Sequence, residues 1–171
     1  MMNKENIYIL EDRGIIYING EDAFKYLQNI ISNDLNKVND AQSCFSYLLT
    51  PQGKYLFEFI IIKHKNGYFL DCPKYQIENL YKQLNLYKLR SKIEITNLSN
   101  EFVIGALSKD NFTSFEKSNN PGMTIKFRED SVILDPRCIS LGARIVINLE
   151  KLYLSAKKLS LKISNVEDII N

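Results

Sequence analysis

The stretch DRGIIYINGEDAFKYLQNIISNDL, residues 12–35, predicts a strand, a tight turn and a short amphipathic helix in immediate succession. Apolar residues alternate through its first half, as expected of a strand with a buried face, and an Asn-Gly pair then marks a turn. Phe24, Leu27 and Ile31 follow at helical spacing. The polar pair Asn33-Asp34 suits a cap where the chain leaves the helix better than a ligand contact. A strand followed at once by a helix that packs back on it decides the fold class.

The pattern continues outward from this stretch as a strand meander and a second helix. Apolar segments typical of strands occur at 7–10, 44–49, 54–63, 68–72, 91–96, 101–107, 122–127, 131–135 and 144–148. Further helices are predicted over 74–89 and 149–161. Because strands and helices do not alternate as βαβ units, we predict an α+β fold. It consists of a largely antiparallel mixed sheet with two to three covering helices, whose buried residues include Phe24, Leu27, Ile77, Leu80 and Leu84.

Composition limits the classes of function. The 171 residues are 45% hydrophobic, enough for a core, and the net charge is +2, with 22 basic and 20 acidic residues interspersed. Scattered lysines of this kind do not form the basic face that a phosphate backbone requires, so we expect no direct nucleic-acid binding. The longest apolar run, 59–62, is too short to cross a bilayer, and the N-terminus lacks an apolar signal core. We expect a cytoplasmic protein without membrane contact.

Catalytic and metal-binding patterns are sparse. The single histidine, His64, stands between lysines at an expected exposed hairpin tip, without a third group to orient it as a base. The cysteines Cys44, Cys72 and Cys138 form no CxxC pair, and their odd number suggests no disulfide framework. Glycine-rich phosphate loops and metalloprotease or EF-hand patterns are missing as well. We predict neither a catalytic residue nor a metal site.

Five segments carry motifs that go beyond secondary-structure periodicity. They are LEDRGIIYINGEDAFKYLQNIISNDL at 10–35, SYLLTPQGKYLFEFIII at 46–62, YFLDCPK at 68–74, LYKLRSKIEI at 86–95 and DPRCISLGARIVI at 135–147. In this order they resemble the segments of the folate-binding YgfZ proteins, which are relatives of the glycine-cleavage T-protein. The likeness includes a Leu-Thr-Pro-Gln-Gly-Lys turn, a Tyr-x-Leu-Arg-x-Lys signature and an Asp-Pro-Arg block. It covers most of residues 7–148.

The resemblance implies a cofactor and its contacts. In this family the fold surrounds a central cavity that holds tetrahydrofolate. Arg13 lies where relatives place a side chain against the folate; its guanidinium can stack on a pterin or meet a carboxylate, or it is a surface arginine. Asp71 lies where T-proteins carry a folate-contacting Asn, and Glu58 where they carry an acidic pair. The resemblance thus implies that Arg13, Glu58 and Asp71 bind the cofactor.

One departure concerns the C-terminal part. The family carries a later Lys-Gly-Cys-Tyr motif with its candidate reactive cysteine, and this sequence has no such segment. We therefore predict a folate-binding domain at 1–148 and a basic helix and tail at 149–171 that lacks the family continuation. Residues 149–171 are expected to pack loosely. Folate binding by this chain alone is expected to be weak or undetectable, and stronger with a separately encoded C-terminal portion.

Three hypotheses about function follow from the resemblance. The leading one is a YgfZ-type accessory protein that supports maturation or repair of iron-sulfur client proteins, including enzymes that modify tRNA. The second is an aminomethyltransferase relative, although Phe57-Glu58 replaces the acidic pair expected there. The third is a structural fragment without activity. The sequence does not identify the client or the one-carbon state of the folate.

Overall fold

The computed structural model describes residues 2–116 and 119–167. They form four α-helices: α1 (Ala23–Ile30), α2 (Ile77–Lys88), α3 (Lys109–Phe115) and α4 (Leu152–Lys158). They also form eleven strands: β1 (Asn6–Ile9), β2 (Arg13–Asn19), β3 (Cys44–Leu49), β4 (Tyr55–His64), β5 (Gly67–Pro73), β6 (Glu94–Asn97), β7 (Phe102–Leu107), β8 (Thr124–Phe127), β9 (Asp130–Leu134), β10 (Ala143–Asn148) and β11 (Lys162–Asn165). The predicted α+β class is confirmed.

The chain divides into two compact units. One, the continuous unit, is Asp12–Ser99. The other, the split unit, combines Met1–Glu11 with Asn100–Asn171. The sequence analysis placed a boundary at residue 148, between the folate-binding domain and the C-terminal helix and tail. That boundary stays a prediction.

The continuous unit is a five-stranded antiparallel sheet with α1 and α2 on one face. Its strand order is β3-β4-β5-β2-β6, so the predicted meander of β3, β4 and β5 is present. The helices bury apolar side chains against the alternate residues of the central strands. This core includes Leu27, Leu80 and Leu84 from the helices and Ile16, Ile61 and Leu70 from the strands.

One predicted core residue of α1 is wrong. Phe24 is 41% exposed, whereas Ala23, Tyr26 and Leu27 are buried. Tyr26 lies inward instead, and its hydroxyl donates to the carbonyl of Leu84 on α2 at 2.6 Å. The other four residues predicted for the core are buried: Leu27, Ile77, Leu80 and Leu84.

The polar cluster after α1 has the predicted capping role. The Asp34 carboxylate accepts from the Asn36 backbone N–H at 3.0 Å, which begins a short 3-10 helix. The Asn33 side-chain amide donates to the carbonyl of Phe45 at 2.9 Å, on β3. These bonds fix the exit of the helix against the sheet, and local bonding of this kind is what asparagine and aspartate supply in turns.

The split unit is a six-stranded sheet in the order β11-β1-β7-β10-β9-β8. Its pairs are antiparallel except for β1 and β11, where Ile7 lies opposite Ile163 in a parallel ladder. Helices α3 and α4 cover its core, which includes Phe112, Leu152, Val132 and Ile145. Residues 162–165 were expected to belong to a loose tail; they are instead an edge strand, and the predicted helix ends at Lys158. Residues 168–171 lie outside the described range.

Candidate functional site

The three residues predicted to bind the cofactor lie on one face of the sheet in the continuous unit. In the ladder, Ile15 of β2 and Ile60 of β4 both lie opposite Asp71 of β5, so these three side chains point to the same side. Arg13 and Glu58 each lie two residues from one of these isoleucines and therefore share that side. The helices cover the opposite face, where the intervening residues form the core. The structure thus brings Arg13, Glu58 and Asp71 onto a single face.

Arg13 and Asp71 form a buried ion pair on this face. The Arg13 Nε donates to the Asp71 Oδ1 at 2.7 Å, and its Nη2 donates to the Asp71 carbonyl at 3.0 Å. The side chains are 11% and 1% exposed. The sequence left three roles open for Arg13: stacking on a pterin, pairing with a carboxylate, or a surface position. In the structure Arg13 pairs with a carboxylate, and that carboxylate belongs to the chain itself. The pair holds both side chains in fixed positions.

Glu58 lies farther along the same face, beside a cluster of tyrosines. Its neighbour across the strand pair is Tyr47, whose ring lies 5.3 Å from that of Tyr55 in an edge-to-face arrangement. Within the described part of the chain, the half-buried Glu58 carboxylate makes neither a hydrogen bond nor an ion pair. Loss of hydration raises the pKa of Tyr55, and the charge of Glu58 raises it further. A carboxylate acceptor therefore stands next to aromatic rings.

A second acceptor beside these rings was not predicted from the sequence. The Gln76 Oε1 is buried and lacks a hydrogen-bond partner among the described residues, while its Nε2 donates to the Tyr75 hydroxyl at 3.0 Å. The Gln76 side chain also forms a hydrogen bond that lowers the pKa of Tyr55, against the larger effect of burial. An orphaned buried acceptor is uncommon in native proteins and points to a donor from outside the chain. Only atomic burial identifies such a group; no sequence motif could have done so.

The other end of the same face is aromatic. The rings of His64 and Phe69 stack with centroids 4.2 Å apart, and Tyr17 packs against both. The Tyr17 hydroxyl also donates to the carbonyl of His64 at 3.2 Å. The histidine was expected at an exposed hairpin tip; it is instead half-buried among rings. Its position extends the apolar part of the face.

The Asp-Pro-Arg block forms a charge network around the buried Asp135 in the split unit. The Asp135 carboxylate accepts from the Nε and Nη2 of Arg137 at 3.0 and 2.7 Å and from the Nε of Arg144 at 3.1 Å. It also accepts from the Arg137 backbone N–H at 3.0 Å. Burial raises the pKa of Asp135, but the hydrogen bonds from Arg137 and the two positive charges outweigh burial and lower it overall. This motif closes the connection between β9 and β10.

The thiols differ in their environments. Burial raises the pKa of Cys44 to about 11 and that of Cys72 to about 12, so neither is a nucleophile near neutral pH. Cys138 is exposed, and a hydrogen bond with the Ser140 hydroxyl lowers its pKa. Among residues 2–116 and 119–167, no group of three or more histidine, cysteine or acidic side chains could hold a metal ion. No helix in that range is long and apolar enough to span a bilayer.

Comparison with known proteins identifies two groups of sequence relatives. The mitochondrial iron-sulfur cluster assembly factor IBA57 homolog of Dictyostelium discoideum is 27% identical over 98% of this chain and 47% of its own length. The aminomethyltransferase of Caldanaerobacter subterraneus subsp. tengcongensis is 31% identical over 58% of this chain and 27% of its own length. The chain therefore spans half or less of these curated relatives. No model of a protein family matches it.

Solved structures share the fold. Aminomethyltransferase T of the glycine cleavage system from Bartonella henselae superposes with a TM-score of 0.72 at 13% identity, over 92% of this chain and 47% of that chain. A chain of the heterotetrameric sarcosine oxidase from Corynebacterium sp. U-96 superposes with a TM-score of 0.60 at 8% identity, over 94% of this chain and 85% of that chain. The fold is that of an aminomethyltransferase domain. The comparisons support the predicted superfamily, and the finer assignment to YgfZ proteins stays a prediction.

Proposed function

We propose that the chain binds a reduced folate on the face of the continuous unit that carries Arg13, Glu58 and Asp71, and that it acts as an accessory factor for iron-sulfur proteins. The observation that carries this proposal is the pair of acceptors, the Glu58 carboxylate and the unpartnered Gln76 Oε1, beside the rings of Tyr47 and Tyr55. A pterin is a flat ring whose edge presents amino and ring N–H donors. Such a group needs acceptors at its edge and aromatic surface at its face.

The residues present fit tetrahydrofolate. Glu58 and Gln76 would accept from the pterin edge, and the tyrosines would contact its face. Arg13 and Asp71, whose Nε and Oδ1 atoms are 2.7 Å apart, would hold the two strands in position beneath the ligand. Their opposite charges compensate each other. Folate, when bound, supplies a carrier for one-carbon units; the chain's own residues bind and orient it.

Iron-sulfur assembly is favoured over methyl transfer by the extent of the sequence likeness. The assembly factor from Dictyostelium aligns with 98% of this chain, whereas the aminomethyltransferase aligns with 58%. Clients that modify tRNA, a cytoplasmic location and the YgfZ assignment belong to this proposal as its finer parts. The aminomethyltransferase alternative is supported by its 31% identity and by the shared fold.

The chain is proposed to work together with another polypeptide. The relative that aligns with 98% of this chain is an iron-sulfur cluster assembly factor, and the sarcosine oxidase chain that this chain covers to 85% is one member of a heterotetramer. Iron-sulfur clients or a separately encoded C-terminal portion are the candidate partners. Either one would add surface around a bound folate.

Isothermal calorimetry with tetrahydrofolate under reducing conditions tests the proposal. We expect one saturable site, with affinity reduced about tenfold in Glu58→Gln and Gln76→Leu, because each loses one acceptor for a buried donor. The exposed acid Glu129, in the split unit, provides the matched control Glu129→Gln, which should bind as the unaltered chain does. Equal binding by all variants, or absence of binding even when a C-terminal portion is supplied, would reject the site.

A further inference from the structure

An apolar groove of about 730 Å³ lies on the helix side of the continuous unit. It is bounded by the end of α1, the turn that joins β3 to β4, and residues at the end of α2. Its lining is mainly aliphatic and includes Ile30, Leu49, Leu86 and Leu89. Leu86 and Leu89 are 67% and 87% exposed. Because the helices cover the face opposite to Arg13 and Asp71, this groove is separate from the proposed folate site.

A second, polar pocket of about 530 Å³ continues the groove, since Leu89 and Asn29 line both. It contains the cations Lys25 and Arg90, which make neither a hydrogen bond nor an ion pair with the described residues. Its one carboxylate, Asp22, accepts from the Lys92 backbone N–H at 2.7 Å. The groove therefore has an aliphatic half and a basic half.

Leu89 joins the two halves and has a strained backbone. Its φ of 46° and ψ of −115° form a conformation that glycine adopts readily and a branched aliphatic residue does not. The side chain gains almost no burial within the chain, since it is 87% exposed. Backbone strain of this kind is concentrated at functional sites, and the side chain of Leu89 is available to another molecule.

We propose that this groove binds an amphipathic helical segment of a partner protein. The aliphatic face of that segment contacts Leu86 and Leu89, and an acidic residue near one end meets Lys25 and Arg90. Charge complementarity selects an acidic partner. The open shape and the exposed leucines favour a protein segment over a small ligand, because small-ligand sites enclose most of the ligand. This proposal adds a binding surface for the partner to the proposed function. Only the identity of the partner rests on that function.

The test uses the full chain and two labelled helical peptides of about 16 residues. Both carry leucines at positions i, i+3, i+4 and i+7; one has glutamates beside them and the other has lysines. Fluorescence anisotropy should give binding of the glutamate peptide in the range of tens of micromolar, and at least about tenfold weaker binding of the lysine peptide. Arg90→Glu should reverse this preference.

Leu89→Gly separates binding from folding. It relieves the backbone strain, so the thermal midpoint should be unchanged or higher, while the affinity for the glutamate peptide falls about tenfold. The matched control is Leu154→Ser, at a half-exposed leucine of the split unit, which should bind the peptide normally.

Specific outcomes would overturn the groove proposal. Equal binding of both peptides, or normal peptide binding by Leu89→Gly, would each do so. Absence of peptide binding combined with saturable binding of laurate would assign the groove to a lipid chain instead. Glu58→Gln should keep peptide binding while it loses folate affinity. Failure of the folate proposal is therefore distinguishable from failure of the groove proposal.

Discussion

Each unit of this protein contains a buried aspartate that is paired with arginine. The two pairings differ in the sequence separation between the partners. In the split unit, the Asp135 carboxylate accepts hydrogen bonds from Arg137 and Arg144, which lie two and nine positions further along the chain. In the continuous unit, the Asp71 carboxylate accepts a hydrogen bond from Arg13, which lies 58 positions away on the adjacent strand. The first arrangement closes a connection between two strands. The second links two strands on the sheet face that also carries Glu58.

This difference teaches what a buried charge pair can be used for. A local network fixes a turn and is visible as a sequence motif. A pair between distant segments fixes the register of two strands and the orientation of a surface. We therefore expect the Asp135 network to contribute mainly stability, and the Arg13–Asp71 pair to contribute stability together with the shape of the proposed site.

The largest expected effect is that of Asp135→Ala, which removes the acceptor of two guanidinium groups and one backbone N–H. We expect a loss of about 4 kcal/mol in the free energy of unfolding. Urea titration followed by far-ultraviolet circular dichroism measures it, since the chain has no tryptophan. Ser140→Ala, at an exposed position in the same connection, is the control. A loss below about 1 kcal/mol would show that the network is not structural.

Asp71→Ala should cost slightly less, about 3 kcal/mol, because one arginine is left without its carboxylate. Combining it with Arg13→Met completes a double-mutant cycle, in which we expect a coupling of about 1–3 kcal/mol. The same urea titration applies. Additive effects would mean that the two residues act independently and that the comparison with Asp135 fails.

The pH dependence of stability should distinguish Asp135 from its neighbour Asp130. The pKa of Asp135 is below its ordinary value of 3.8, so its stabilisation is present above that value and is lost as the pH falls through the lowered pKa. The advantage of the native chain over Asp135→Asn should therefore shrink below pH 3.8. Burial raises the pKa of Asp130, so its stabilising contribution is full below 3.8 and decreases as the pH rises. Unfolding free energies measured from acid to neutral pH should show opposite trends for Asp135→Asn and Asp130→Asn.

The smallest effects should come from exposed ion pairs, one in each unit. Lys4 and Asp110 approach to 2.6 Å with side chains 70% and 57% exposed. Lys92 and Glu21 approach to 3.3 Å, both 74% exposed. We expect Asp110→Asn and Glu21→Gln to change the unfolding free energy by less than about 0.5 kcal/mol. A larger change would mean that charge, rather than burial, governs the first two predictions.

Most elements of the fold could be predicted because their patterns are local. The bounds of β3 agree with the sequence pattern, and α1 and α2 have apolar faces at helical spacing. Helix α3 was missed because it is rich in weak helix formers, and its main indication is the cap in which Ser108 accepts from the Asn111 N–H. Strand β11 was missed because its four residues become a strand only by pairing with β1, at the far end of the chain. The sequence also did not indicate that the strands divide into two sheets.

The candidate site was accessible from sequence only through resemblance. Arg13, Glu58 and Asp71 share a face because of strand register, which a single sequence does not specify over 58 positions. Gln76 could not be found in advance, because its significance is that one buried oxygen lacks a donor. Likewise, the strained φ of Leu89 depends on how α2 ends against the following loop.

The parallel pairing of β1 with β11 has a consequence for synthesis on the ribosome. The continuous unit is complete once residue 99 has left the exit tunnel, so it can fold while translation continues. The sheet of the split unit must wait for residues 162–165, several seconds later at about 5–20 residues per second. Strand β7, the other neighbour of β1, is made soon after residue 99, but throughout the interval β1 lacks β11, and the edge that pairs with β11 is exposed. Chaperones that bind nascent chains should therefore contact residues 6–9 late in translation, after the continuous unit has become resistant to protease.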